Sequence, residues 1–246
     1  MSHWDRLRKV TQARIGLDRA GHALSTRALL DLWESHAIAR DSVITEWDLL
    51  PTEAALREAG VSFQALETAV GRARDLYLLR PDLGRKLSVA AHEAMAHWKG
   101  RKPTIALVLS NGLSSLAAER HGFAMVERIL RESASRGWTV SPVFLAPNGR
   151  VALGDEIGAE VEAQLTIMLI GERPGLSSAD SLGIYLTHGP RVGLTDAFRN
   201  CISNVRPPDG LGYDAAVLKL MFLAEQALKR GLSGVALKDE SNDLLP

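Results

Sequence analysis

A chain of 246 residues, 46% of them hydrophobic, can build one large core or a core with a satellite. Its 29 basic and 29 acidic side chains cancel, which removes the electrostatic reason to expect nucleic acid or an anionic membrane as partner. The apolar runs are strand-length, far short of the roughly 20 residues of a membrane span. The start Met1-Ser2-His3-Trp4-Asp5-Arg6 lacks a signal-peptide core, and the single cysteine, Cys201, excludes an internal disulfide framework, so a cytoplasmic protein is expected.

The basic start Trp4-Asp5-Arg6-Leu7-Arg8-Lys9-Val10 reads equally as a docking arm or a frayed terminus. Residues 1–100 otherwise read as a mainly helical segment. Apolar positions recur at helical spacing over 26–40 behind Ser25 as N-cap. Thr52 and Ser88 are further caps, with Gly60 and Gly100 as stops. The stretch 63–79 is compatible with helix or strand. From residue 101 to 246 the pattern changes to apolar runs alternating with helices. Strands are expected over 104–110, 138–146, 165–170 and 182–187, with helices to about Ser135, over 155–164 and over 213–230. Gly234 to Leu237 is expected to close the sheet. Continuous apolar strands between helices predict an α/β fold, a Rossmann-like open, mainly parallel sheet flanked by helices.

Ligands of such sheets bind beyond the carboxyl ends of the strands. Four glycine-bearing loops are expected there: Ser110-Asn111-Gly112, 146–151, Gly171-Glu172-Arg173-Pro174-Gly175 and 188–193. Glu172 follows a strongly apolar strand, and an acid there needs a partner. Arg173 supplies one locally, a ligand another, and the residues alone do not choose. The histidines of Ala91-His92-Glu93-Ala94-Met95-Ala96-His97 are five apart, on different helix faces, which argues against a zinc peptidase. No dinucleotide fingerprint, P-loop or nucleophile elbow occurs. Arg199 and Arg206 near Cys201 would lower its thiol pKa, and a semi-buried packing thiol is the commoner alternative. No self-contained catalytic constellation emerges.

Six strings occur in order. They are Ala13-Arg14-Ile15-Gly16-Leu17, Arg80-Pro81-Asp82-Leu83-Gly84-Arg85 and Val151-Ala152-Leu153-Gly154-Asp155-Glu156-Ile157-Gly158. Ile170-Gly171-Glu172-Arg173-Pro174-Gly175-Leu176-Ser177, Arg199-Asn200-Cys201-Ile202-Ser203-Asn204 and Gly231-Leu232-Ser233-Gly234 complete the set. Together they closely resemble the small (light) subunit of ethanolamine ammonia-lyase, from about Ala13 to about Asp239. The resemblance implies an adenosylcobalamin-dependent lyase that converts ethanolamine to acetaldehyde and ammonia. It implies a large TIM-barrel subunit that binds ethanolamine, several large–small pairs, and a Rossmann-like small subunit that completes the cobalamin site. Segment 1–100 would then dock on the large subunit and 101–246 would face the cobalamin. Motif by motif, the cobalamin-contacting positions fall on Val151, Glu172 and Cys201, with Arg173, Pro174 and Gly175 shaping the pocket. No catalytic residue and no metal ligand is expected on this chain. The absent D-x-H-x-x-G string agrees with base-on cobalamin. Asn111 stands where the family usually has aspartate. Packaging in a bacterial microcompartment, which the resemblance links to an amino-terminal extension, stays open. A free-standing cobalamin- or nucleotide-binding regulatory module, or a nucleotide-dependent enzyme using the same strand ends, are the alternatives.

Overall fold

Serine hydroxyls cap two helices at the expected residues, Ser25 and Ser88, whereas Thr52 lies inside the first turn of its helix and does not cap it. The computed structural model describes residues 3–11 and 13–241. It begins with α1 (His3–Leu7) and a small hairpin of β1 (Arg19–Ala20) and β2 (Ala23–Leu24). The Ser25 hydroxyl accepts from the Ala28 N–H and opens α2 (Thr26–Ile44). Next, α3 (Leu50–Glu58) carries Pro51 in its first turn, where the missing N–H has no helical partner to lose. The ambiguous 63–79 stretch contains both kinds of element, β3 (Phe63–Ala65) and α4 (Arg74–Leu79). Ser88 then caps α5 (Val89–Met95).

The second part runs β4 (Ile105–Ser110), α6 (Ser115–Ser135), β5 (Val143–Leu145), α7 (Leu153–Glu160) and β6 (Leu165–Gly171). It continues with β7 (Leu182–His188), β8 (Arg199–Val205) and α8 (Tyr213–Arg230), which stops on Gly231 in the left-handed region. The six-stranded sheet has the order β3-β5-β4-β6-β7-β8. The first four strands are parallel, while β7 and β8 join antiparallel, so the open α/β sheet is mixed. Its first strand, β3, comes from the first hundred residues.

Three expectations change. Gly234 to Leu237 is no strand: it opens on a 3-10 turn over Gly234–Ala236, entered by Gly234 at a positive φ with no room for a Cβ beside the Ala197 carbonyl. The edge strand is β8 instead. Only Val143–Leu145 of the 138–146 run is a strand, with Val140 held by an isolated bridge to Ile105. The 188–193 loop lies at the opposite end of the sheet, since His188 pairs with Leu165 at the start of β6. The ten residues joining β6 to β7 are too few for a crossover helix, so the chain turns back as a hairpin.

Side-chain alternation gives the sheet two different faces. Ile105, Leu107, Leu109, Ile167, Leu169, Ile184 and Ile202 pack under α6 and α8. Ala106, Val108, Phe144, Met168 and Ile170 face the other way, towards α5 and α7. Towards β8 that second face opens: Tyr185 is half-buried, and Cys201, Ser203 and Asn204 are exposed.

Candidate functional site on the open face of strands β7 and β8

Glu172 continues the hairpin beyond β6, its N–H donating to the Ser181 carbonyl at 2.9 Å. Its side chain lies back across Gly183 at the start of β7, where a Cβ would sit 2.9 Å from Oε1. The carboxylate accepts from the Ser181 hydroxyl, from Ser203 Oγ at 2.6 Å and from the Asn204 N–H at 3.1 Å. Those bonds replace the local Glu172–Arg173 pair, and Arg173 is exposed. A carboxylate has about four acceptor positions, and three of these are used. Oε1, bonded only to Ser203, retains one.

The donors from β8 depend on a bulge. Leu182 pairs with Val205 but Ile184 with Ile202, so β8 carries one extra residue there, and Asn204 takes φ +61°. Such bulges re-aim side chains and backbone donors, and asparagine tolerates this conformation better than most residues. Here the bulge turns the Ser203 hydroxyl and the Asn204 N–H onto Glu172.

Cys201 lies opposite Tyr185 on the same open face. Its outer surface is exposed, yet the groups around Sγ desolvate it and push the thiol up, with Glu172 adding to the effect against a hydrogen bond from Tyr185. The expected lowering by arginine does not occur, because neither cation is free to act. The Arg199 guanidinium is turned inward onto Asp155 and Asp196, while Arg206 faces Asp180 and Asp209.

Val151 precedes α7 and packs, half-buried, against the same apolar cluster as Tyr185. The helix behind it is fixed by a buried ion pair between Asp155 of α7 and Arg199 of β8, each side chain only 2% exposed. Glu172 and Cys201 are thus neighbours through β8, and Val151 joins them through this tie. Gly171 serves its own chain: a Cβ there would meet the Asn111 and Ser114 carbonyls at 2.3 and 2.2 Å. The backbone approach that its sequence suggests for a ligand is made to the loop after β4.

The crevice between the carboxyl ends of β4 and β5 is where helices leave to opposite faces, the usual ligand position in this architecture. Here the chain fills it. Buried Arg74 of α4 donates to the Gly112 carbonyl at 2.8 Å and to Asn148 Oδ1 at 2.9 Å. Asn111 uses both ends of its amide, accepting from the Asn148 N–H at 2.7 Å and donating to Ser115 Oγ at 3.1 Å. His92 bridges to Glu156 and Glu160 of α7, away from His97.

The sequence as a whole also relates the chain to known proteins. The model of the family described as Ethanolamine ammonia-lyase light chain (EutC) matches residues 1–238. The chain belongs to that family. Relatives named ethanolamine ammonia-lyase small subunit include one from Xanthomonas campestris pv. campestris (strain B100). It is 50% identical over 242 residues, covering 97% of this chain and 88% of the relative. One from Azotobacter vinelandii is 47% identical over 241 residues, with the same two coverages. One from Pseudomonas aeruginosa (strain LESB58) is 48% identical over 242 residues, again 97% and 88%. The chain is therefore a small subunit of a lyase, and a small subunit implies a large one as partner. Among the described residues no helix is long and apolar enough to cross a membrane.

The sequence reading missed Tyr185, Gly183, Ser181 and Ser203. Alternation in Leu182-Gly183-Ile184-Tyr185-Leu186 was the available signal, since it puts Gly183 and Tyr185 on the face opposite the buried Leu182, Ile184 and Leu186.

Proposed function

We propose that the open face of β7 and β8, with Val151, Glu172 and Cys201, is the small-subunit half of an adenosylcobalamin site. The enzyme so formed converts ethanolamine to acetaldehyde and ammonia. The Glu172 carboxylate carries this reading. It is braced by three donors of its own chain and keeps an acceptor position on Oε1 at an exposed face. A corrin rim bearing amide N–H donors fits such a group, and Cys201 and Val151 offer apolar contact beside it. When bound, the cofactor supplies an adenosyl radical by homolysis of its cobalt–carbon bond. This chain holds and orients the cofactor and keeps water from one side, while the large TIM-barrel subunit binds ethanolamine and houses the radical chemistry. Several large–small pairs make up the assembly, in the cytoplasm, packaged in a bacterial microcompartment or not.

Segment 1–100 docks on the large subunit in this reading, and 101–246 presents the cofactor face. In the 19-residue α2 only Ser42 is buried, whereas Leu30, Trp33, Ile38 and Ile44 are exposed. Most helical stability comes from packing an apolar face, and a row of exposed apolar side chains marks a contact surface.

The test uses Glu172→Ala and Glu172→Gln in the complex reconstituted with the large subunit, loaded with adenosylcobalamin and desalted. A hydrogen bond to a charged group is worth about 1.5–3 kcal/mol, so alanine should weaken retention roughly 10- to 150-fold. Glutamine keeps one acceptor oxygen and should lose less. Unchanged affinity in both variants removes Glu172 from the site. Cobalamin held by this chain without the large subunit would instead favour a free-standing binding module.

A further inference from the structure

Tyr185 stands in the middle of the open face, although no motif points to it. Its register partners are Met168 on β6 and Cys201 on β8. One side of its ring packs on the apolar cluster that also receives Val151. Two residues before it, Gly183 has no side chain, and Glu172 lies across that gap. Cys201 opposite it is exposed, so ring and thiol share the open face.

We infer that Tyr185 is a fourth cofactor-facing position, its ring forming the apolar floor between Val151, Glu172 and Cys201. The inference rests on the adenosylcobalamin reading above. A flat ring is suited to the face of a planar, largely apolar macrocycle, and two rotatable angles make it cheap to hold in place. The role assigned is the ring's, so a variant that keeps the ring and one that removes it should behave differently.

The experiment compares Tyr185→Phe, Tyr185→Leu and Glu172→Ala in the reconstituted large–small complex. Adenosylcobalamin retained after desalting is read by absorbance. Protection of Cys201, this chain's single cysteine, from alkylation by bound cobalamin is followed by peptide mass spectrometry. Phenylalanine keeps the ring and should keep cobalamin affinity within about threefold, with Cys201 still protected. Leucine preserves apolar bulk without the flat ring and should weaken cobalamin about tenfold or more. Wild-type affinity in the leucine variant, or a loss in the phenylalanine variant as large as in the leucine variant, overturns the inference. If Glu172→Ala loses cobalamin while Tyr185→Leu retains it, only the role of Tyr185 fails. If both retain it, the cofactor reading itself fails.

Discussion

The buried Asp155–Arg199 pair invites a quantitative test, because it fixes the helix after Val151 to the strand that carries Cys201. Both side chains are 2% exposed, and Arg199 also donates to Asp196 and to the Leu194 carbonyl. Removing one member of such a pair leaves the other charge buried and costs about 3–5 kcal/mol. With a urea m-value of about 3 kcal/mol/M, Arg199→Met should lower the unfolding midpoint by roughly 1–1.7 M. Replacing both groups, in Asp155→Leu with Arg199→Met, should recover most of that loss, because the desolvation of both charges disappears together. Burial pushes the Asp155 carboxyl up, and the hydrogen bond and charge of Arg199 oppose it only in part.

That direction fixes the pH dependence. An acid whose folded pKa is raised contributes stability that is present below its unfolded pKa and lost as pH rises through the folded value. Arg199→Met removes the main opposing group, so its deficit should be small near pH 4 and grow towards neutrality. Urea titrations followed by far-UV circular dichroism at several pH values would show this. Two single variants each costing under about 1 kcal/mol, with a double variant equal to their sum, would refute the reasoning.

Three further outcomes follow from the same geometry. Gly183→Ala puts a methyl 2.9 Å from Glu172 Oε1, so the side chain must shift and its bond to Ser203 weaken; cobalamin affinity in the complex should fall several-fold with little change in melting temperature. Asn111→Asp keeps the oxygen that accepts the Asn148 N–H but loses the donor to Ser115 Oγ and buries a charge, so it should cost about 1–3 kcal/mol. Asn111→Leu strands the buried Asn148 N–H and should cost about 1–3 kcal/mol in the same urea assay. His121 is lowered mainly by burial, against the pull of Asp180 and with Arg120 and Arg206 assisting, while its Nδ1 meets the Tyr213 hydroxyl at 2.8 Å. A lowered histidine contributes stability above its unfolded pKa of about 6.5 that is lost as pH falls through the folded value. His121→Gln should therefore flatten the decline in melting temperature below about pH 6.5, and an unchanged slope would exclude His121 as its source.

Most of the sheet was legible because strands buried on both faces must be continuously apolar, as in Ile105–Ser110 and Leu165–Gly171. The edge strand was not, and the bulge explains why. In Arg199–Val205 the inward residues Ile202 and Val205 are three apart, so the period of two is broken where Ser203 and Asn204 turn to Glu172. Arg199 also disguised the strand, since its partner Asp155 is 44 residues away in sequence. Periodicity alone cannot register a charge neutralised at that distance.

The six ordered strings make physical sense as one network. Arg14 reaches Ser177 beyond the Glu172 turn, and the Gly84 carbonyl accepts from the Arg150 N–H beside Val151. Asp155 holds Arg199, Glu172 holds Ser203 and Asn204, and Asn200 bonds to Gly234 in the last string. Segments far apart in the chain thus meet around strand β8 and the helix after Val151. A resemblance spread thinly along a sequence is here a compact piece of surface and its supports. That compactness ties Val151 mechanically to Cys201, so a change at Asp155 or Arg199 should disturb the candidate site without touching any residue that faces it.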